Sequence, residues 1–138
     1  MKEEIKNFFE KELEKEKIFE FRDFRVEKKD ENIEGVNFDL KLIGNGLKVL
    51  LKIYLLGDTN QKEEKISLKE MDKLKKIEKS GNCITILLIS TTKDINSINL
   101  RKKEVKSKIK ELFSAGIEII GYKYEKNHLR RIPVEFYE

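Results

Sequence analysis

A carboxylate, Asp39, and an ammonium, Lys52, stand directly opposite one another if the chain folds back at Gly44-Asn45-Gly46. Asn-Gly is the preferred centre of a type I′ two-residue turn, because both central residues need φ > 0 there. With Asn45 and Gly46 at that centre, Gly44 faces Leu47, and steps outward pair Leu42 with Val49, Leu40 with Leu51, Phe38 with Ile53 and Val36 with Leu55. A slip of one residue would turn this apolar set to the other side, so turn chemistry and pattern agree on one register. The opposite face then reads Ile43 against Lys48, Lys41 against Leu50, Asp39 against Lys52 and Asn37 against Tyr54. One acid, three lysines and a phenol are the chemistry available there. As plain sheet chemistry, the opposite-charge pair contributes about 0.2–1 kcal/mol on a solvated face.

The second chemistry-bearing set is basic. Arg101, Lys102, Lys103, Lys106 and Lys110 lie on a segment whose Val105 and Ile109 face inward, and Arg130 and Arg131 follow Tyr122, Lys123, Tyr124, Lys126 and His128. Such surfaces attract phosphates through counterion release, with little sequence information. Interleaved aromatics would add stacking for single strands or junctions. The same residues also describe a solubilising helix face and an edge strand guarded by charge. His128 is the one histidine, with no Cys beside it, so zinc has poor support and no Ser-His-Asp set can be assembled. Gly44-Asn45-Gly46 is not a phosphate loop, since no Gly-Lys-Ser/Thr follows.

The elements that must position these groups follow from periodicity. Lys2 to about Lys17 carries Ile5, Phe8, Phe9 and Leu13 at helical spacing. Ile18 to Lys28 is aromatic and β-prone, with a phase change at Arg22-Asp23 that suggests a bulged first strand. The hairpin Val36 to Leu55 supplies the second and third. After a polar loop, Gly57 to Lys65, Ser67-Leu68-Lys69-Glu70 reads as a capping box for a helix that turns Leu68, Met71, Leu74 and Ile77 inward and stops at Ser80-Gly81. The run Cys83 to Ile89 is apolar throughout, as in a strand covered on both faces, with Cys83 as a buried small hydrophobe. A helix from about Ile98 to Phe113 buries Leu100, Val105, Ile109, Leu112 and Phe113 and stops near Gly116, before a strand at Ile117 to Ile120. Strand, helix, strand at this spacing means a crossover and a parallel pair. Leu129 to Tyr137 adds an edge strand after Pro133.

The order is therefore α-β-β-β-α-β-α-β, an α/β fold with one mixed sheet, and 138 residues fit a single domain spanning 1–138. One Cys excludes a disulfide framework. No stretch approaches the ~18 apolar residues of a membrane span and no signal peptide is visible, so a cytoplasmic protein with no membrane partner is expected. Charged residues make up 41% of the chain and the net charge is +4. That charge is uneven: residues 1–69 hold 15 basic and 16 acidic side chains, residues 70–138 hold 15 and 10. A basic second half points to an anionic partner.

This order resembles the restriction-endonuclease-like, or PD-(D/E)xK, superfamily, in particular the archaeal Holliday-junction resolvases and Mrr-type nucleases. The resemblance implies an Asp on the second strand and an acidic-x-Lys triplet on the third, meeting across the hairpin to hold Mg²⁺ and activate water. Phe38-Asp39-Leu40 stands where that Asp would be, but Lys52 occupies the second acid's position and Tyr54 the lysine's. Mg²⁺ needs several hard oxygen ligands, and an ammonium in its place repels it. The site is thus expected to be degenerate: Asp39, Lys52, Tyr54 and Lys41 in place of a working set, with Lys52 standing in for the metal, no metal ligands and no cofactor.

The expected function is a nucleic-acid-associated module of nuclease-like fold whose metal site is lost or altered, a pseudo-nuclease or binding subunit, with Arg101, Lys102, Lys103, Lys106, Lys110, Arg130 and Arg131 as its nucleic-acid contacts. A homodimer, or docking onto an active paralogue, completes the partner expectations. Two alternatives stay open. One is an active Mg²⁺-dependent nuclease with migrated residues, for which Glu10, Glu12 or Glu16 could approach Asp39 and Lys41 could replace the missing lysine. The other is a non-enzymatic structural or interaction protein whose charge serves only solubility.

Overall fold

The computed structural model describes residues 2–56 and 67–135. Among the described residues, three α-helices and a mixed six-stranded sheet form an α/β fold. In chain order these are α1 (Lys2–Glu14), a 3₁₀ turn (Phe19–Phe21), β1 (Arg25–Ile33), β2 (Val36–Gly44), β3 (Leu47–Leu56), α2 (Leu68–Lys79), β4 (Cys83–Ser90), β5 (Ile98–Asn99), α3 (Lys103–Ser114), β6 (Glu118–Glu125), β7 (His128–Ile132) and β8 (Val134–Glu135). The main sheet runs β1-β2-β3-β4-β6-β7, antiparallel except for β3-β4 and β4-β6, which are parallel. β5 and β8 make a separate parallel pair. The expected loop Gly57 to Lys65 and the tail beyond Glu135 lie outside the described residues.

Two apolar layers sandwich the sheet. On one face α1 lays Ile5, Phe9 and Leu13 over Leu40, Leu42, Leu51, Ile53, Leu87 and Ile120. On the other, α2 and α3 bury Met71, Leu74, Ile77, Val105, Ile109 and Leu112 against Phe38, Leu50, Ile86 and Leu88. β4 is covered on both faces from Ile84 to Ser90, which is why its sequence shows no alternation. Removing a fully buried ring such as Phe9 from this packing costs about 3–5 kcal/mol.

The hairpin folds as its turn residues dictate. Asn45 and Gly46 have φ of 51° and 76°, and the ladder pairs Gly44 with Leu47, Leu42 with Val49 and Leu40 with Leu51. Gly44 has a second role: a Cβ there would lie 2.3 Å from the Asp23 carbonyl oxygen, so only a residue without a side chain lets the chain entering β1 pass.

Several expectations are corrected. The first strand is not Ile18 to Lys28: Phe19–Phe21 coil into a 3₁₀ turn and the strand begins at Arg25. A second type I′ turn at Glu34-Gly35, both at positive φ, pairs Ile33 with Val36, and β1 is charged along both faces, so it carries no apolar signal. Ile98 and Asn99 are strand rather than helix, because the Ile98 amide donates to the Pro133 carbonyl at 2.8 Å. The strand that edges the main sheet, β7, precedes Pro133, and the two residues that follow the proline, β8, pair with β5 instead. Cys83 is exposed, being the first residue of β4, and Leu68 and Phe113 are exposed at the ends of their helices.

Gly44→Ala is expected to lose about 2 kcal/mol through backbone displacement, read as a lower midpoint in urea denaturation. Asn45→Gly, which keeps the turn geometry, is expected to stay within about 0.5 kcal/mol of the parent.

Candidate functional site

The alternation of β2 changes phase at Asp39. Val36 and Phe38 join the α2–α3 layer, whereas Leu40 and Leu42 join the α1 layer. Asp39 itself turns toward α1, where its Oδ1 meets the Lys2 ammonium at 3.1 Å. The expected pairs Phe38 with Ile53 and Val36 with Leu55 on one apolar face are therefore replaced. The regular ladder with β3 extends to Leu40 and Leu51, and beyond it side chains take over backbone partners. The Ile53 amide donates to Asp39 Oδ2 at 2.7 Å, and the Lys52 ammonium donates to the Asn37 carbonyl at 2.7 Å.

Asp39 and Lys52 consequently look to opposite faces of the sheet. Lys52, buried, lies 3.5 Å from Glu70 Oε1 on α2 and 5.6 Å from the centre of the Tyr54 ring. The Tyr54 hydroxyl donates to the same carboxylate oxygen at 2.5 Å. Burial first, then the Glu70 carboxylate, drives the Tyr54 pKa far above its ordinary value, so the phenol is a fixed donor. Glu70 is thereby diverted: Ser67 Oγ accepts from the Glu70 amide at 3.1 Å as a capping box requires, but the Glu70 side chain reaches into the sheet rather than back to the cap. The cation beside Asp39 is Lys2, not Lys52.

Two further groups complete the α1 side. Lys6 is 2% exposed, and its ammonium meets Asp30 Oδ1 at 2.7 Å and Glu3 at 3.6 Å. Burial pulls the Lys6 pKa down, but the hydrogen bond and charge of Asp30, with Glu3 and Asp39, overcome it and leave it raised. Asp30 lies between Lys29 and Glu31, which pair with Leu40 and Phe38, so it sits across from Asp39. Its φ of 58° places it in the left-handed region, a strain of about 1 kcal/mol that coincides with the phase change in β2. The hydrogen bond from Lys6 holds the Asp30 carboxyl below its ordinary value, with the Asn37 amide adding to it.

The remaining predicted residues are dispersed. Lys41 pairs with Glu27 at 3.2 Å and takes no part in the Asp39 cluster. Glu10 pairs with Lys29 at 2.9 Å instead of approaching Asp39. On α3, Lys103 is exposed and Lys106 partly so, while Arg101, Lys102 and Lys110 each have contacts of their own. Arg130 bonds the Ile95 carbonyl at 3.1 Å and Arg131 pairs with Glu20 at 3.3 Å. Neighbours on β7, these two arginines point to opposite faces, so the seven basic residues do not form one surface. Tyr122 and Tyr124 are buried, Tyr122 donating to Glu20 and Tyr124 set edge-on to Phe8; neither ring is free to stack on a base.

Lys2, Lys6 and Asp30 belong to no motif in the sequence, and Glu70 figures there only as the acid of a capping box. A signal for two of them exists: Lys2 and Lys6 fall at helical spacing with Ile5, Phe9 and Leu13, inside the stripe of α1 that must be buried. The cluster does not suit a divalent ion. Among the described residues no three His, Cys, Asp or Glu side chains converge, and the Asp39 oxygens are taken by an ammonium and a backbone amide.

Asp39→Ala is expected to cost about 2–3 kcal/mol, since it leaves the Ile53 amide unsatisfied, and Asp39→Asn about 1 kcal/mol, since an acceptor remains; urea denaturation measures both. The lowered Asp30 pKa gives a pH prediction. Its contribution is complete above about pH 4 and is lost as the pH falls through the lower folded-state value. Melting temperature against pH should fall less steeply on the acid side in Asp30→Asn than in the parent.

No family model matches the chain, and no curated protein matches it. Among solved structures it is similar to Pyrococcus furiosus SfsA in complex with Ca²⁺, with a TM-score of 0.72 and 19% identity, over 92% of this chain and 62% of that one. The chain thus spans less than two thirds of the SfsA chain. At that identity the likeness establishes a shared fold, and over the matched span that fold is the fold of a part of SfsA.

Proposed function

We propose that the chain is a nucleic-acid-binding module of restriction-endonuclease-like fold whose metal site is replaced by internal ion pairs. The observation that carries this reading is the Lys2 ammonium, 3.1 Å from the carboxylate at the one acid position the superfamily pattern retains. The Ile53 amide holds the second oxygen, and Lys52 is turned through the sheet to Glu70. With both oxygens engaged by a cation or an amide, Asp39 supports structure rather than hydrolysis.

The partner follows from charge. Lys103 begins α3 and Lys102 caps it, the latter without a side-chain cap bond, at the helix end where the macrodipole is positive and acids are favoured. Glu104 is the lone acid of that turn. A phosphate backbone lying along Lys103 and Lys106 relieves this excess, and binding of that kind is sequence-independent.

A second reading has one observation in its favour: the similar SfsA structure is a Ca²⁺ complex. On that reading Asp39 still serves a divalent ion, in an active Mg²⁺-dependent nuclease with displaced ligands.

Calorimetric titration with Mg²⁺ and Mn²⁺ separates the two. The first reading expects no heat that depends on Asp39; a saturable site lost in Asp39→Asn, together with metal-dependent strand cleavage, selects the second. Affinity for duplex DNA, followed by fluorescence anisotropy, should fall linearly with log salt. The Lys103→Glu, Lys106→Glu double variant should reduce that slope by about 1 for each phosphate it no longer neutralises. No binding at about 50 mM salt overturns the nucleic-acid reading.

A further inference from the structure

A pocket of about 370 Å³ lies beyond the carboxyl ends of β4 and β6, lined by Thr91 and Lys93 after β4, Tyr124 and Glu125 at the end of β6, Lys126 and Asn127 in the following turn, and Glu4 from α1. It shares no residue with the Asp39 cluster. Its size is at the small end of ligand sites, suited to a single small molecule or one unstacked nucleotide rather than a duplex.

Its charges are unequally matched. Glu125 already has Lys123 at 3.0 Å, and that hydrogen bond, with Lys126 and Lys93 adding their charge, holds the Glu125 carboxyl below its ordinary value. Among the described residues no salt bridge engages Lys93 or Lys126. Of the lining charges, Lys93 and Lys126 stand against Glu4 and Glu125; because Glu125 is already paired with Lys123 from outside the lining, two ammonium groups face one unpaired carboxylate, Glu4, among the described residues.

The turn that carries Lys126 is strained. Lys126 and Asn127 are its central residues, with φ of 50° and 58°, a conformation that suits Asn-Gly and is uncommon for a lysine. The Tyr124 hydroxyl steadies the turn by donating to Asn127 Oδ1 at 3.0 Å, which leaves the Asn127 amide nitrogen as a donor. Burial raises the Tyr124 pKa, and the charge of Glu4 adds to the effect, so the phenol keeps its proton. Backbone strain at a charged, concave position is what a ligand contact would maintain.

We propose that this pocket binds the phosphate of a nucleotide, with Lys93 and Lys126 as its counter-charges, Asn127 and Thr91 as neutral donors, and Glu4 accepting from a sugar hydroxyl or base amino group. The choice of a nucleotide over another phosphate rests on the nucleic-acid reading above. The phosphate belongs either to a strand terminus or to a free nucleoside monophosphate, and the chemistry of recognition is the same.

The test is fluorescence anisotropy at about 50 mM salt with a 5′-phosphorylated single-stranded oligonucleotide and its 5′-hydroxyl twin, followed by displacement with AMP or inorganic phosphate. The phosphorylated strand should bind about tenfold more tightly, the value of one charge-assisted contact. Lys93→Gln with Lys126→Gly should abolish that difference while the melting temperature holds or rises, because glycine relaxes the turn. Lys103→Glu with Lys106→Glu should weaken both strands equally and keep the difference. Saturable AMP binding that depends on Lys93 and Lys126, with equal affinity for the twins, assigns the pocket to the free nucleotide; if oligonucleotides then fail to bind at all, only the nucleic-acid reading falls. Twins of equal affinity with no AMP binding, or inorganic phosphate displacing as well as AMP, overturn the inference, and duplex binding through α3 would survive that result.

Discussion

Among the described residues, three charged side chains, Lys6, Asp39 and Lys52, are buried in the middle of this fold, and the requirement that none stands alone organises what surrounds them. A buried charge without a partner costs several kcal/mol, and removing one member of a buried pair leaves that penalty whole. Each is therefore answered from a different element: Lys6 by Asp30 of β1, Asp39 by Lys2 of α1 and an amide of β3, Lys52 by Glu70 of α2 and a carbonyl of β2. Five elements are tied together by groups that cannot be left unpaired.

The arrangement also explains local departures from regular structure. β2 gives up its alternation so that Phe38 and Leu40 serve opposite layers, and Asp30 takes a left-handed conformation across from that point. α2 gives up half of its capping box because Glu70 is worth more beneath Tyr54 and Lys52 than over its own first turn. An exposed N-terminal cap contributes about 1 kcal/mol, less than an unpaired buried lysine would cost. Each irregularity sits where a charge crosses into the interior.

Chemically, both Asp39 oxygens and the Lys52 ammonium are engaged by partners within the sheet and its helices. On the proposed reading, recognition falls to groups outside the network, Lys103 and Lys106 of α3 and the pocket beyond β4 and β6. The proposed binding role separates support from recognition in this way, with paired charges inside and unmatched ammonium groups at the surface.

Much of the fold was legible in the residues. Asn45-Gly46 and the apolar pairs beside it set the hairpin, since turn geometry is decided by the conformational preferences of two residues. The stripe Ile5, Phe9, Leu13, the Ser67 cap, the Ser80-Gly81 stop and the uniform run of β4 are likewise local signals. Elements held by distant partners gave weaker ones or none: β1 because an edge strand clothed in ion pairs has no apolar period, and β5 because it exists through a hydrogen bond to Pro133 and its pairing with β8. The candidate site was legible only as far as the presence of Asp39 on β2. Which cation it meets depends on the face toward which it turns, and that was settled when α1 and α2 came to rest on opposite sides of the sheet. Turn chemistry acts over four residues, whereas the pairing of a buried charge is decided by whatever long-range packing brings within about 3 Å of it.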